Sequence, residues 1–183
     1  MLNNKECYLK TGDKLEVINN NVYINGTKFN LLGSGVDGNI YKYEDKAIKL
    51  YHDDYQIKGH LNIEQIEILC SIITKNIILP KERLGSNLNN FGYVMNYIDL
   101  DTKKDILLED IYKLTKEIKT LEEELILIGK NHFLLDDFKV ENFVFNGNLY
   151  LLDPDSFIFD KKVDFSKKNL ELFVWYFIRD IIF

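Results

Sequence analysis

From Lys14 to Tyr51 the chain runs as short β-type segments, KLEVI, VYI, KFNLLG, NIYKY and KAIKLY, rich in β-branched and aromatic residues. Turn signals separate them at Asn19-Asn20-Asn21, Asn25-Gly26, the glycines at 33 to 38, and Glu44-Asp45. At Asn62 the period changes: IEQIEILCSIITK spaces its apolar residues for a helix of about three turns, with Asn62 as N-cap. After Pro80 a β pattern returns as FGYVMNYID, and Ile106 to Gly129 then reads as a long amphipathic helix closed by Gly129 as its C-cap glycine. NFVF and LYLLD flank Asn146-Gly147-Asn148, a hairpin signal, and the apolar run Leu170 to Phe183 closes the chain as a helix. This order predicts an α+β fold, an antiparallel sheet with one helix followed by a shortened, mostly helical half carrying a hairpin. No repeat or low-complexity linker interrupts it, and the division falls near Ile98 to Asp101.

Composition narrows the functions open to such a fold. With 46% apolar residues over 183 positions the chain can bury a real core, which argues against disorder. A net charge of −6, with both signs interspersed, supplies no basic field for nucleic acid or an anionic membrane. Cys7 and Cys70 have neither metal spacing nor the numbers of a disulfide framework, and read as reduced thiols. The run from Leu170 to Phe183 falls short of the about 20 residues a bilayer requires and carries Glu171, Arg179 and Asp180, so it reads as a buried helix. MLNNKECYLKTGDK has no apolar core behind its charges, and a cytoplasmic location is expected. His52, His60 and His132 are too scattered for a metal site and read as surface or packing residues.

Three motifs carry chemistry. GSGVDG places glycines at 33, 35 and 38 between two β-type segments. In a dinucleotide fold the third glycine would open a helix, but Asn39 to Tyr43 carries β-formers, so the glycines suit a strand-turn-strand flap over phosphates. From these residues alone, a glycine-rich hairpin without a ligand fits equally. Next, strand alternation puts Ala47 and Lys49 on one face and Ile48 and Leu50 on the other. A small residue and a cation then share the glycine side, although a solvated strand lysine is the commoner fate. Finally, Asp137-Phe138-Lys139-Val140-Glu141-Asn142 precedes the hairpin, and Leu152-Asp153-Pro154-Asp155 follows it. A base, a phosphate cation and a metal-binding amide fit within the first stretch, and antiparallel pairing would bring Asp153 beside Asn142 as hard oxygen ligands. Helix and turn capping is the alternative use of such residues.

The order of these motifs, from Phe29 to Asp155, resembles the eukaryotic-type protein kinase fold, including minimal bacterial and atypical serine/threonine kinases. The resemblance implies one kinase-like domain over 1–183, with an N-lobe of about 1–98, a C-lobe of about 99–183, and ATP held between them. It makes Gly33, Gly35 and Gly38 the glycine-rich loop, Lys49 the ATP-orienting lysine, and Ile40 and Ala47 the adenine ceiling. FGYVMNYI resembles the hinge, with Met95 as gatekeeper and Asn96, Tyr97 and Ile98 offering backbone groups to adenine. Asp137 is similar to the catalytic aspartate, Lys139 to its companion lysine, and Asn142 and Asp153 to the magnesium ligands. The partner of Lys49 is expected on the first helix. Glu64 is favoured because it shares a stripe with Ile68 and Ile72, Glu67 falls on a more solvated face, and Gln65 at that place would leave no ion pair.

The chain also departs from that pattern. Asp136 stands where many kinases have arginine, Pro154-Asp155 replaces Phe-Gly, and nothing after Asp153 resembles an APE motif. Switching through a phosphorylated activation loop and the usual peptide platform are therefore both in doubt. The resemblance implies an ATP- and magnesium-dependent kinase acting on a hydroxyl, with serine or threonine of a protein as the leading acceptor. The alternatives are a small-molecule kinase and a pseudokinase that binds nucleotide or a partner. Such a partner, or a second copy, would dock on the apolar C-terminal helix.

Overall fold

A computed structural model of the chain describes residues 5–10, 12–19, 21–35, 37–52, 61–85, 90–100, 107–136, 138–152 and 157–177. Four strands open it, β1 (Lys5–Tyr8), β2 (Lys14–Ile18), β3 (Asn21–Ile24) and β4 (Thr27–Lys28), paired antiparallel in chain order. Asn25 and Gly26 turn β3 into β4 with φ of 49° and 79°. Positive φ at both positions marks the twisted two-residue turn that favours Asn-Gly. KFNLLG, expected as one strand, is divided. β4 ends at Lys28, while β5 (Leu31–Ser34) joins a second antiparallel sheet with β6 (Gly38–Tyr43), β7 (Lys46–Tyr51), β8 (Glu82–Gly85) and β9 (Asn90–Asn96) in the order β5-β6-β7-β9-β8. Phe29 fixes the break, because its N–H donates to the Val22 carbonyl at 2.8 Å and its ring meets Tyr43 edge-on at 5.3 Å.

The single sheet expected for the first half is thus two. Leu15, Val17, Val22 and Ile24 alternate inward from the first and join Tyr41, Ile48, Leu50 and Val94 of the second in one buried cluster. Each such side chain contributes about 1.5–3 kcal/mol on full burial. Helix α1 (Ile63–Ser71) packs on β8 through the same part of the chain and buries Ile66 and Leu69.

By contact the chain divides into two units, Met1–Ser71 with Pro80–Tyr97, and Ile72–Leu79 with Ile98–Phe183. In the second unit a 3-10 turn at Leu108–Asp110 leads into α2 (Ile111–Lys130), so the helix begins later than the expected Ile106. Then come β10 (Phe133–Leu135), β11 (Phe143–Phe145), β12 (Leu149–Leu151), β13 (Phe157–Phe159) and α3 (Ser166–Phe177). β10 pairs antiparallel with β13, and β11 with β12 through the turn at Gly147, whose φ is 98°. Asn131 caps α2, and the left-handed position falls to His132 at φ 71°. Gly129 is therefore not the cap. A Cβ there would lie 2.2 Å from the Ser166 backbone nitrogen, so glycine is needed for the start of α3 to approach α2. No helix among the described residues is long and apolar enough to cross a membrane.

The helix expected to run on to Lys75 ends at Ser71. The backbone N–H groups of Lys75, Asn76 and Ile77 instead donate to the buried carboxylate of Glu124 on α2, at 2.5 to 3.1 Å. Asn76 Nδ2 donates to Glu117 and to the Leu149 carbonyl, and the Lys75 ammonium pairs with Glu117 at 2.7 Å. Residues 76–78 also extend the β11–β12 hairpin, Leu151 N–H donating to the Asn76 carbonyl and Ile78 N–H to the Leu151 carbonyl.

Candidate functional site

In the first unit, strand register assembles one face. Ile40 of β6 and Tyr93 of β9 stand opposite Lys49 of β7, while Lys42 and Met95 stand opposite Ala47. Cross-strand partners share a face at a Cβ separation of about 4.5–5.5 Å. Ile40, Ala47, Lys49 and Met95 are thus neighbours on the face turned away from the Ile48 and Leu50 core. Lys49 is only 5% exposed, bordered by the buried rings of Tyr93 and Tyr51, which meet edge-on at 6.0 Å. An ammonium at that depth requires compensation by anions or acceptors, whereas most lysines keep theirs in water. Gly92 permits this packing, because a Cβ there would lie 1.9 Å from the Lys49 carbonyl oxygen.

The three glycines of the flap differ in kind. Gly38 begins β6 and has no room for a side chain, since a Cβ would fall 2.2 Å from the Leu50 carbonyl oxygen. Gly33 and Gly35 face open space, with nothing nearer to an added Cβ than the Gly38 carbonyl at 3.8 Å, and neither has positive φ. Neither packing nor backbone conformation within the described chain requires glycine at these two positions. The turn is closed by the Gly35 N–H on the Gly38 carbonyl at 2.9 Å and held by His52, just past β7, whose Nε2 lies 3.2 Å from the Gly35 carbonyl oxygen.

The expectations for α1 and the hinge are corrected in part. Ile66 and Leu69 form the inward face of α1; of the stripe of Glu64, Ile68 and Ile72, Ile72 is buried just past the helix, Ile68 is half-buried and Glu64 is exposed. Gln65 serves the helix start: it accepts from the Asn62 N–H at 2.8 Å while its own N–H donates to Asn62 Oδ1 at 3.0 Å, a reciprocal cap. Glu67 lies 3.5 Å from Arg83. Asn96 ends β9 exposed, and Ile98 is half-buried. The Tyr97 N–H donates to the Asp45 carbonyl at 3.1 Å, so that donor is already engaged, and Lys42 lies over the Tyr97 ring.

In the second unit, pairing holds both ends of the two connections that carry the remaining candidates. Leu135 and Phe157 are partners at one end, and Phe143 and Leu151 at the other. Leu152 N–H donates to the Asn142 carbonyl at 2.8 Å, extending that ladder by one step. Residues 136–142 and 152–156 therefore join the same two ladders. Lys139 is exposed, and Asn142, half-buried, closes a 3-10 turn at Val140–Asn142. Phe138, 1% exposed, anchors the first connection against Phe173 and Tyr176 of α3 at 6.0 and 6.2 Å. Asp137 and Asp153 lie outside the described residues, as do Pro154, Asp155 and the chain beyond Phe177.

Asn169 was not foreseen. Fully buried on α3, it accepts from the Leu135 N–H at 2.9 Å and donates to the carbonyls of Leu125 and Phe133 at 3.1 and 3.0 Å. It thereby fixes the end of β10 just before Asp137. Its sequence neighbours advertise only helix, and the contact spans distant positions, so no local pattern reveals it. His52 escaped for the same reason. Burial, with Glu82 and Glu6 nearby, pushes the Cys7 thiol up to about 11, which leaves it protonated and inert near neutrality. Among the described residues no cluster of histidine, cysteine, aspartate and glutamate is arranged to hold a metal ion.

No protein-family model matches the chain, and no curated protein does. Solved structures do. The kinase domain of Mycobacterium tuberculosis PknI is 16% identical at a TM-score of 0.48, covering 69% of this chain, which spans only 57% of that domain. The Legionella pneumophila kinase Lpg2603, solved bound to IP6, is 17% identical at a TM-score of 0.53 and covers 97% of this chain and 76% of its own. The chain is thus structurally similar to that kinase over most of its length, with a mixed α+β fold of antiparallel sheets and, among the described residues, three α-helices. At these identities the likeness is one of fold.

Proposed function

We propose that this chain is an ATP- and magnesium-dependent phosphotransferase that passes the γ-phosphoryl group to a hydroxyl, with serine or threonine of a protein as acceptor. The observation that carries the reading is the burial of Lys49 on the face it shares with Ile40, Ala47 and Met95. Two glycines that the described chain does not itself require, Gly33 and Gly35, support it. A cation at that depth suits the α and β phosphates, and the small Ala47 beside Ile40 and Met95 leaves an apolar surface for a base. Bare glycine backbone lets the flap N–H groups come close to phosphate oxygens.

In the second unit the proposed roles are those of a transfer centre. Asp137 orients the acceptor hydroxyl and takes its proton, and Lys139 places positive charge on the moving phosphoryl group. Asn142 and Asp153 fit a magnesium ion by their chemistry, an amide and a carboxylate oxygen, and the Leu152 to Asn142 hydrogen bond supports their proximity. When bound, the ion would neutralise charge on the bridging phosphate oxygens. A cytoplasmic supply of ATP accords with this reading.

The test has two stages. Melting temperature is measured with millimolar ATP, with and without magnesium, and then transfer of labelled phosphate is measured with the protein itself among the acceptors. Magnesium-dependent stabilisation followed by transfer is expected. An unchanged melting temperature would make the chain a partner-binding module instead.

A further inference from the structure

We infer that the stretch after the Asp153 connection is a fixed splint, so that the site works without phosphorylation of this stretch. This inference rests on the phosphotransfer reading and concerns its regulation. β13 is zipped to β10 over three residue pairs, Phe133↔Phe159, Leu134↔Ile158 and Leu135↔Phe157. Beyond β13, Asp160 N–H donates to the His132 carbonyl at 3.2 Å, and Val163 N–H to the Asp160 carbonyl at 3.0 Å. His132 Nδ1 lies 2.9 Å from the Val163 carbonyl oxygen, so the contact between the entrance of β10 and the loop after β13 runs in both directions. Phe165 N–H then donates to the Gly129 carbonyl at 3.1 Å, and the Ser166 hydroxyl lies 3.0 Å from the Ile126 carbonyl oxygen. Gly129 admits the Ser166 backbone where any side chain would clash.

A segment switched by phosphorylation needs a hydroxyl to modify and freedom to change conformation. Residues 157–165, FIFDKKVDF, contain no serine, threonine or tyrosine. Ser166 is engaged, its hydroxyl within reach of Ile126 and Asp164 and its N–H donating to Asp164 Oδ1 at 2.8 Å. Ser156 is the one hydroxyl between Asp153 and this stretch, and it can be removed by substitution. The strand and the tight loop after it instead hold one end of the connection that carries Asp153 and Asp155.

Hydrogen exchange on the full chain tests the splint, and phosphatase treatment tests the absence of gating. The amides of Asp160, Val163 and Phe165 should exchange roughly 100-fold more slowly than unstructured chain, and Gly129→Ala should erase that protection. Phosphatase-treated protein and Ser156→Ala should transfer phosphate within about twofold of the untreated chain. Exchange at unstructured rates in the native chain would overturn the inference. So would a loss of about tenfold or more in transfer after phosphatase that re-phosphorylation restores. A chain that neither binds ATP nor transfers phosphate fails the proposed function instead, and the exchange pattern then still decides whether the splint exists.

Discussion

Lys49→Met offers the sharpest separation of a nucleotide-binding lysine from a structural one. Methionine keeps an unbranched stem among Ile40, Tyr93 and Tyr51 but removes the ammonium from a position only 5% exposed. A charge-assisted hydrogen bond from such a group contributes about 1.5–3 kcal/mol, which weakens nucleotide binding by about 10- to 150-fold. At ATP near 100 times Kd, binding adds about 2.7 kcal/mol of apparent stability, and a 30-fold weaker site retains about 0.9. The difference, about 1.8 kcal/mol, corresponds to about 4–7 °C of melting temperature for a chain of this length. The assay is scanning fluorimetry with and without Mg-ATP on both proteins, comparing each shift with its own unliganded baseline so that intrinsic stability cancels. A nucleotide shift in the variant within about 1 °C of wild type would refute the assignment.

Asp137→Asn should leave the ATP-induced shift intact while the transfer rate falls by about 100-fold or more, because the lost carboxylate acts on the acceptor hydroxyl and not on the nucleotide; single-turnover kinetics checks this. Asp153→Ala should abolish the magnesium-dependent part of nucleotide stabilisation and spare the rest, with Asp155→Ala having the smaller effect in the same titration. Glu124→Ala strips the acceptor from three backbone N–H groups and should cost about 3–6 kcal/mol in urea unfolding, whereas Glu124→Gln, which keeps one acceptor oxygen, should lose less. For Glu117, burial pushes the carboxyl up, but the Lys75 ammonium and the Asn76 amide outweigh it and hold it below its ordinary value of 4.5. Its stabilisation is therefore present above the unfolded value and lost as pH falls through the lowered folded one, and the stability gap between wild type and Glu117→Gln should close on acidification below about pH 4.5.

The candidate site was legible where chemistry and local pattern coincide. Strand alternation placed Ala47 and Lys49 on one face, and the register bears out that grouping with Ile40 and Met95 added across the ladder. For α1 the local pattern gives the start, Asn62 as N-cap with Gln65 closing a reciprocal cap, while the inward face is chosen by what lies against β8. Gly129 reads as a helix stop because glycine has that local meaning; its actual role depends on a backbone that returns from residue 166.

By itself, the sequence determined the periodicities and the punctuation: the strands β2, β3, β6 and β7, the Asn-Gly turn, the hairpin at Gly147, and the chemical types spaced along the chain from Gly33 to Asp153. Those follow from neighbours within a few residues, where backbone preferences and side-chain alternation act directly. Tertiary structure alone decided that β4 and β5 belong to different sheets, that Glu124 captures residues 75–77, and that Asn169 holds β10. Each of these satisfies a backbone hydrogen-bonding group or a buried ring through a partner distant in sequence. Such partners are selected by the cost of leaving a buried backbone N–H or C=O unpaired, which only the folded arrangement can relieve.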